Sequence, residues 1–310
     1  MARDKISELL QIKQRAGRYK RTPTYHDLIA LKASWDAGKN DTKELAELVP
    51  IKIVSLLEVF LRRWLECLVD FGAPFLERAS QLNLNIKYDF AIAKSLQGGS
   101  ITFGELFSHS VSLSELRSIC ATFQKLLDKD LFDAIRNTRD SWDTAQNGGA
   151  TTPIVQDVDR LRSAIGRLLE VRNILVHEFP NERPCDSDDI AAFLDNAIAF
   201  MHAADEYFSS IVYGDRPLTQ TEMNRQAAAE HKAALEELGK ICNRIKSSTG
   251  SDEIFDVQVH WNVFKEAEAE RQAQRHLGGS IRPMLYSIAA SQITRARIKE
   301  LSDWVENSGG

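Results

Sequence analysis

Apolar residues recur along this chain at intervals of three and four, with almost no strict alternation. That pattern predicts helices throughout and no sheet. Short helices are expected over 3–18 and 24–37, then a turn at 38–41 and a long helix from about 51 to 71, ended by Gly72, Ala73 and Pro74. Residues 74–112 are less regular, with a break at Gly98 and Gly99. A second long helix is expected over 113–146, with Ser112 or Ser114 as its N-cap. A Gly- and Thr-rich loop over 147–153 leads into a helix over 154–178. Ser187 is expected to cap the helix that follows, with Asp188 and Asp189 in the first turn, where they suit the dipole. That helix ends near Tyr213, and residues 214–217 form the best domain boundary. The fold class expected is all-α: a helical N-terminal extension (1–49), a helical bundle (50–215) and a small helical C-terminal domain (218–307).

Composition narrows the reading. The 310 residues are 43% hydrophobic and 27% charged, with a net charge of -5. That balance suits a globular protein and not one that coats nucleic acid through bulk charge. Cys67, Cys120, Cys185 and Cys242 are far apart and form no CxxC or zinc spacing, so they are expected to be reduced in a cytoplasmic protein. Residues 1–5 are followed by no apolar signal core. The longest apolar stretch, 51–71, is interrupted by Lys52, Glu58, Arg62, Arg63 and Glu66, too charged for a membrane span. Phosphate-binding glycine loops, a GxSxG elbow and an HExxH pair are all missing.

One stretch stands out chemically. Arg172, Asn173 and His177 lie at the end of an apolar helical run that Pro180 stops. Arginine offers a charged fork for a phosphate, and histidine titrates near neutrality. On an ideal helix Leu161, Ile165, Leu168, Leu169, Leu175, Val176 and Phe179 lie within about 60° of Arg172. The guanidinium therefore leaves the middle of an apolar face and must meet a partner. The partner is either a carboxylate of the same chain, such as Glu58 or Glu66 in the row Glu58, Arg62, Glu66, or an RNA phosphate in an open cleft. His177 lies about 140° around the helix from Arg172. Unwinding before Pro180, or the arginine of a second subunit, would bring the two together. Asn173, four residues before His177, is placed to orient the imidazole.

Arg172, Asn173 and His177 in this setting resemble the R-x4–6-H signature of HEPN domains, many of them RNases of toxin–antitoxin and antiviral systems. The resemblance covers roughly residues 50–213 and implies a homodimer that brings two motifs together. It implies a metal-independent endoribonuclease, with no cofactor. In that mechanism His177 moves the proton of an attacking 2′-hydroxyl, Arg172 stabilises the phosphorane-like charge, and Asn173 positions either. The products are a 2′,3′-cyclic phosphate and a 5′-hydroxyl. The expected partners are RNA and an antitoxin or regulatory protein. The basic residues Lys13, Arg15, Arg18, Lys20 and Arg21, with Tyr19, are candidate RNA contacts. The alternative is a non-catalytic HEPN-like dimeric adaptor or regulatory binding protein. A guanidinium capped by Glu58 or Glu66 within one chain, beside a lone solvent-facing His177, counts against the enzyme.

Residues 218–306 carry a second resemblance. Thr219 to Asn224, Ala227 to Lys232, Trp261, Phe264, Glu268, the turn from Gly278 to Pro283, Tyr286, and Ile293 to Arg297 resemble the LprI-type lysozyme-inhibitor domain. Gln226, Ala269 and Ala289 stand where that largely extracytoplasmic family implies cysteines, a departure that suits a reducing compartment and argues against lysozyme inhibition. The segment is expected to be a small module for binding, regulation or dimerisation. Trp261 and Phe264 are expected in its core, and the 278–283 turn on its surface.

Overall fold

The computed structural model describes residues 5–16, 21–38, 43–82, 90–147, 151–178, 180–214 and 217–308. Among them every regular element is a helix, and no helix is long and apolar enough to cross a membrane. The chain divides into two units, Met1–Gly214 and Asp215–Gly310.

In the first unit α1 (Lys5–Ala16) and α2 (Tyr25–Gly38) precede the long α3 (Lys43–Phe71). Helix α3 begins earlier than expected and carries Pro50 inside it. Ala46 and Val49, ahead of that proline, are buried, so packing holds the first turns helical despite the missing backbone donor. Helix α3 crosses position 49, where the helical extension was expected to end, and Leu28 and Trp35 of α2 lie in the main core. Short helices follow: α4 (Phe75–Ser80), α5 (Phe90–Gln97) and α6 (Phe103–Ser108).

The expected helix over 113–146 is three: α7 (Leu116–Leu127), α8 (Leu131–Ile135) and α9 (Ser141–Gln146). Short aspartate side chains divide it. Asp128 takes a left-handed conformation (φ 58°) at the end of α7. Asp130 caps α8 by accepting from the Phe132 and Asp133 amides, and Asp140 caps α9 by accepting from the Asp143 amide. Neither Ser112 nor Ser114 is the cap of α7; Glu115 stands there.

Helix α10 (Val158–His177) carries the Arg172 motif, and α11 (Ser187–Tyr213) closes the unit. Asp186, not Ser187, caps α11 in a reciprocal capping box with Asp189. The core lies between α3, α10 and α11, sealed by α2, α7 and α8, with Phe123 stacked on Phe208 at 5.3 Å and Trp64 at 5.4 Å from the same ring.

Gly104 sets the spacing of α6 on α3. A Cβ there would fall 2.3 Å from the Glu66 carbonyl oxygen, and the Gly104 amide donates to Asp70 Oδ1 at 2.8 Å. In the second unit α12 (Gln220–Thr249), α13 (Glu253–Ala273) and α14 (Arg282–Ser308) form a three-helix array, in which α14 packs along both other helices while α12 and α13 touch little.

Candidate functional site

Helix α10 buries Leu161, Ile165, Leu168, Leu169 and Val171 and leaves Arg172 only 17% exposed. The guanidinium pairs with Glu58 Oε1 of α3 through Nη2, and its Nη1 donates to Asn173 Oδ1 at 2.9 Å. Of the two candidate carboxylates it is therefore Glu58 that meets it. Glu66 is buried elsewhere, taking Ser108 Oγ at 3.3 Å and Arg63 Nη1 at 3.2 Å. Glu58 also borders a small apolar pocket with Leu61, Leu116, Ile165, Leu169 and Phe200. Those walls lower the local dielectric and strengthen the pair.

His177 takes no part in this cluster. Helix α10 stays regular through His177 and is capped at Glu178, so the expected unwinding does not occur before it. The angular separation of an ideal helix persists and turns the exposed imidazole away from Arg172. Asn173 does not orient it either: its oxygen accepts from Arg172, and its Nδ2 faces the Ser114 carbonyl at 3.5 Å. Val176, expected on the apolar face, is half exposed, and Phe179 lies outside the described residues.

Of the N-terminal basic residues that are described, Lys13 and Arg21 are paired within the chain and Arg15 is not buried. Lys13 donates to the Ser100 carbonyl at 2.7 Å and pairs with Glu105 at 2.9 Å, pinning α1 to the start of α6. Arg21 pairs with Asp27. Arg15 is exposed, and Arg18, Tyr19 and Lys20 lie outside the described residues.

A second cluster was not anticipated from the sequence. Asp140, His202 and Glu206 each place one potential ligand atom within 4.8 Å of the others. His202 Nε2 lies 2.8 Å from Asp140 Oδ2, and Ser141 Oγ donates to Glu206. The Tyr25 ring stacks on His202 with centroids 4.2 Å apart and planes 20° apart. Burial pushes the Tyr25 phenol above its usual range, and Asp140, Glu206, Asp205 and Asp143 push it the same way. The only local signal was the one-turn spacing of His202 and Glu206, which is common on helices. Asp140 joins them from 62 positions away.

In the second unit Ala269 and Ala289 are buried in one cluster with Ala290, against Tyr286. These are two of the positions where cysteines were implied; Gln226, the third, is exposed and bonds Glu230. Trp261 packs against the core of Leu238, Ile241 and Ile245, but Phe264 is 58% exposed, contrary to expectation. Val259 and Val263 of α13, one turn apart, are exposed as well. Lys265 is buried on the same helix, pairing with Glu266 at 3.0 Å over the Trp261 ring. Of the surface turn expected over 278–283, residues 278–280 are exposed, with Gly278 at φ 79° and the Ser280 carbonyl accepting from Asn224, while Ile281 and Arg282 are half-buried and α14 begins at Arg282.

Residues 215–301 match the family model of the lysozyme inhibitor LprI, so the second unit carries an LprI-like domain. No curated protein and no solved structure matches the chain.

Proposed function

We propose that this chain is a non-catalytic regulatory or adaptor protein. Its first unit is a HEPN-like bundle that dimerises, and its LprI-like second unit binds a protein partner. The observation that carries this reading is the pairing of Arg172 with Glu58. A guanidinium that stabilises a phosphorane must be open to the phosphate, and a carboxylate already in its fork competes for that place. His177 is exposed and apart from Arg172 of its own chain, so a catalytic pair would need the arginine of a second subunit. In this reading Arg172 fastens α10 to α3, and the exposed apolar residues Val259 and Val263, one turn apart on α13, belong to the binding surface of the second unit.

The test incubates the purified chain with total RNA and tRNA in EDTA, beside Arg172→Ala and His177→Ala, with oligomeric state read by light scattering. The expected result is a dimer that leaves both RNAs intact. Cleavage by the wild type that disappears in both variants, with 2′,3′-cyclic phosphate ends, would establish the endoribonuclease instead. A monomer with no cleavage would remove the dimeric part of the reading.

A further inference from the structure

We propose that Asp140, His202 and Glu206 bind a divalent transition-metal ion of the zinc class. The site is independent of the reading above and lies on other elements of the first unit.

Three features build it. Asp140 is the N-cap of α9, and its Oδ1 is held by the Asp143 amide at 2.7 Å, which leaves Oδ2 turned toward His202. His202 and Glu206 stand one turn apart on α11, on the same side of the helix. Tyr25 stacks on the imidazole and fixes its plane, while Ser141 holds the Glu206 carboxylate. Supporting contacts of this kind orient metal ligands. In a tetrahedral zinc site, bonds of about 2.0–2.2 Å place ligand atoms roughly 3.3 Å apart. Here His202 Nε2 and Asp140 Oδ2 are 2.8 Å apart, and all three donors lie within 4.8 Å of one another, close to that spacing.

Charge favours a cation. Asp143 and Asp205 add to the field of Asp140 and Glu206 at the Tyr25 phenol. His202 and Asp140 keep 19% and 23% of their side-chain surface, so an ion has a path from solvent. One imidazole and two carboxylates suit zinc, cobalt or manganese better than all-oxygen magnesium sites or thiolate-bound copper. Three protein ligands leave a fourth position for water. The bound ion would tie α9 to α11, adding a cross-link to the Asp140–His202 and Ser141–Glu206 contacts.

The test uses Co²⁺ as a spectroscopic probe on the full-length chain. The expected result is one equivalent bound per chain. It should give the visible bands of a four-coordinate ion without a thiolate charge-transfer band, and Zn²⁺ should displace it. His202→Ala and Glu206→Gln should each weaken binding by at least about 10-fold. Hydrogen exchange in 136–147 should slow when Zn²⁺ is added. Circular dichroism checks that the variants fold; if His202→Ala does not, Glu206→Gln decides, because it keeps a partner for Ser141. The proposal is overturned by no saturable binding at millimolar metal, by equal binding in the folded variants, by a thiolate band, or by equal competition from Mg²⁺.

Discussion

Arg172 on α10 and Glu58 on α3 form an ion pair across 114 positions of sequence, at the edge of an apolar pocket. Removing one partner leaves the other charge half-buried without its counter-ion. Glu58→Ala and Arg172→Ala should each cost about 1–3 kcal/mol in urea unfolding, less than a fully buried pair because both groups keep some solvent. The double variant should cost less than the two single ones added together, with a coupling of about 1 kcal/mol. Additive losses would mean that the pair does not hold the two helices together.

Gly104 is a position where no side chain fits. Gly104→Ala would drive a Cβ into the Glu66 carbonyl and the Asp70 carboxylate. Because backbone cannot yield as a flexible side chain does, α6 must shift, and a loss of about 1–3 kcal/mol is expected in thermal or urea unfolding. A wild-type midpoint would show that α6 is free to move.

Both features bear on what can be read from a sequence. That Arg172 needs a partner follows from its place on an apolar stripe, and Glu58 was one of two carboxylates at suitable spacing; choosing between them required the packing of α3 on α10. The breaks between α7, α8 and α9 depend on single aspartates, whose capping competes with a periodic apolar pattern that runs straight through them. Phe264 was misplaced because α13 is apolar on several sides, so its sequence does not say which side packs. Asp140, His202 and Glu206 carry no joint signal in the chain, since tertiary structure alone brings Asp140 to α11.

His231 on α12 makes the stability of the second unit depend on pH. Burial lowers the pKa of its imidazole, the Lys265 cation lowers it further, and Glu266 offsets part of this. Its Nε2 is buried with no hydrogen-bond partner. An unfolded histidine takes its proton near pH 6.5, the folded one only at lower pH. The stabilisation is therefore fully present above about pH 6.5 and is lost as the pH falls through that value toward the folded pKa. Urea midpoints should fall more steeply for the wild type than for His231→Gln between about pH 7 and pH 5. Parallel profiles would refute this.

Ala269 and Ala289 share one buried cluster, so a disulfide between them should form if both become cysteine. The loop it closes has about 20 residues, for which chain-entropy arguments give roughly 3 kcal/mol. The oxidised Ala269→Cys, Ala289→Cys variant should unfold at a higher temperature than the wild type, and reduction should abolish the gain. Two thiols that persist under mild oxidation would mean that the alanine side chains point apart.

The arrangement of the second unit also governs when it can form during synthesis. Helices α12 and α13 meet each other little, and each finds its main neighbour in α14. Neither can bury its apolar side until that last helix has left the ribosome. The first unit has all its core residues available much earlier. A nascent chain stalled before residue 282 should thus carry a folded bundle followed by two helices without their shared support. In that state α12 and α13 are a natural client for a chaperone.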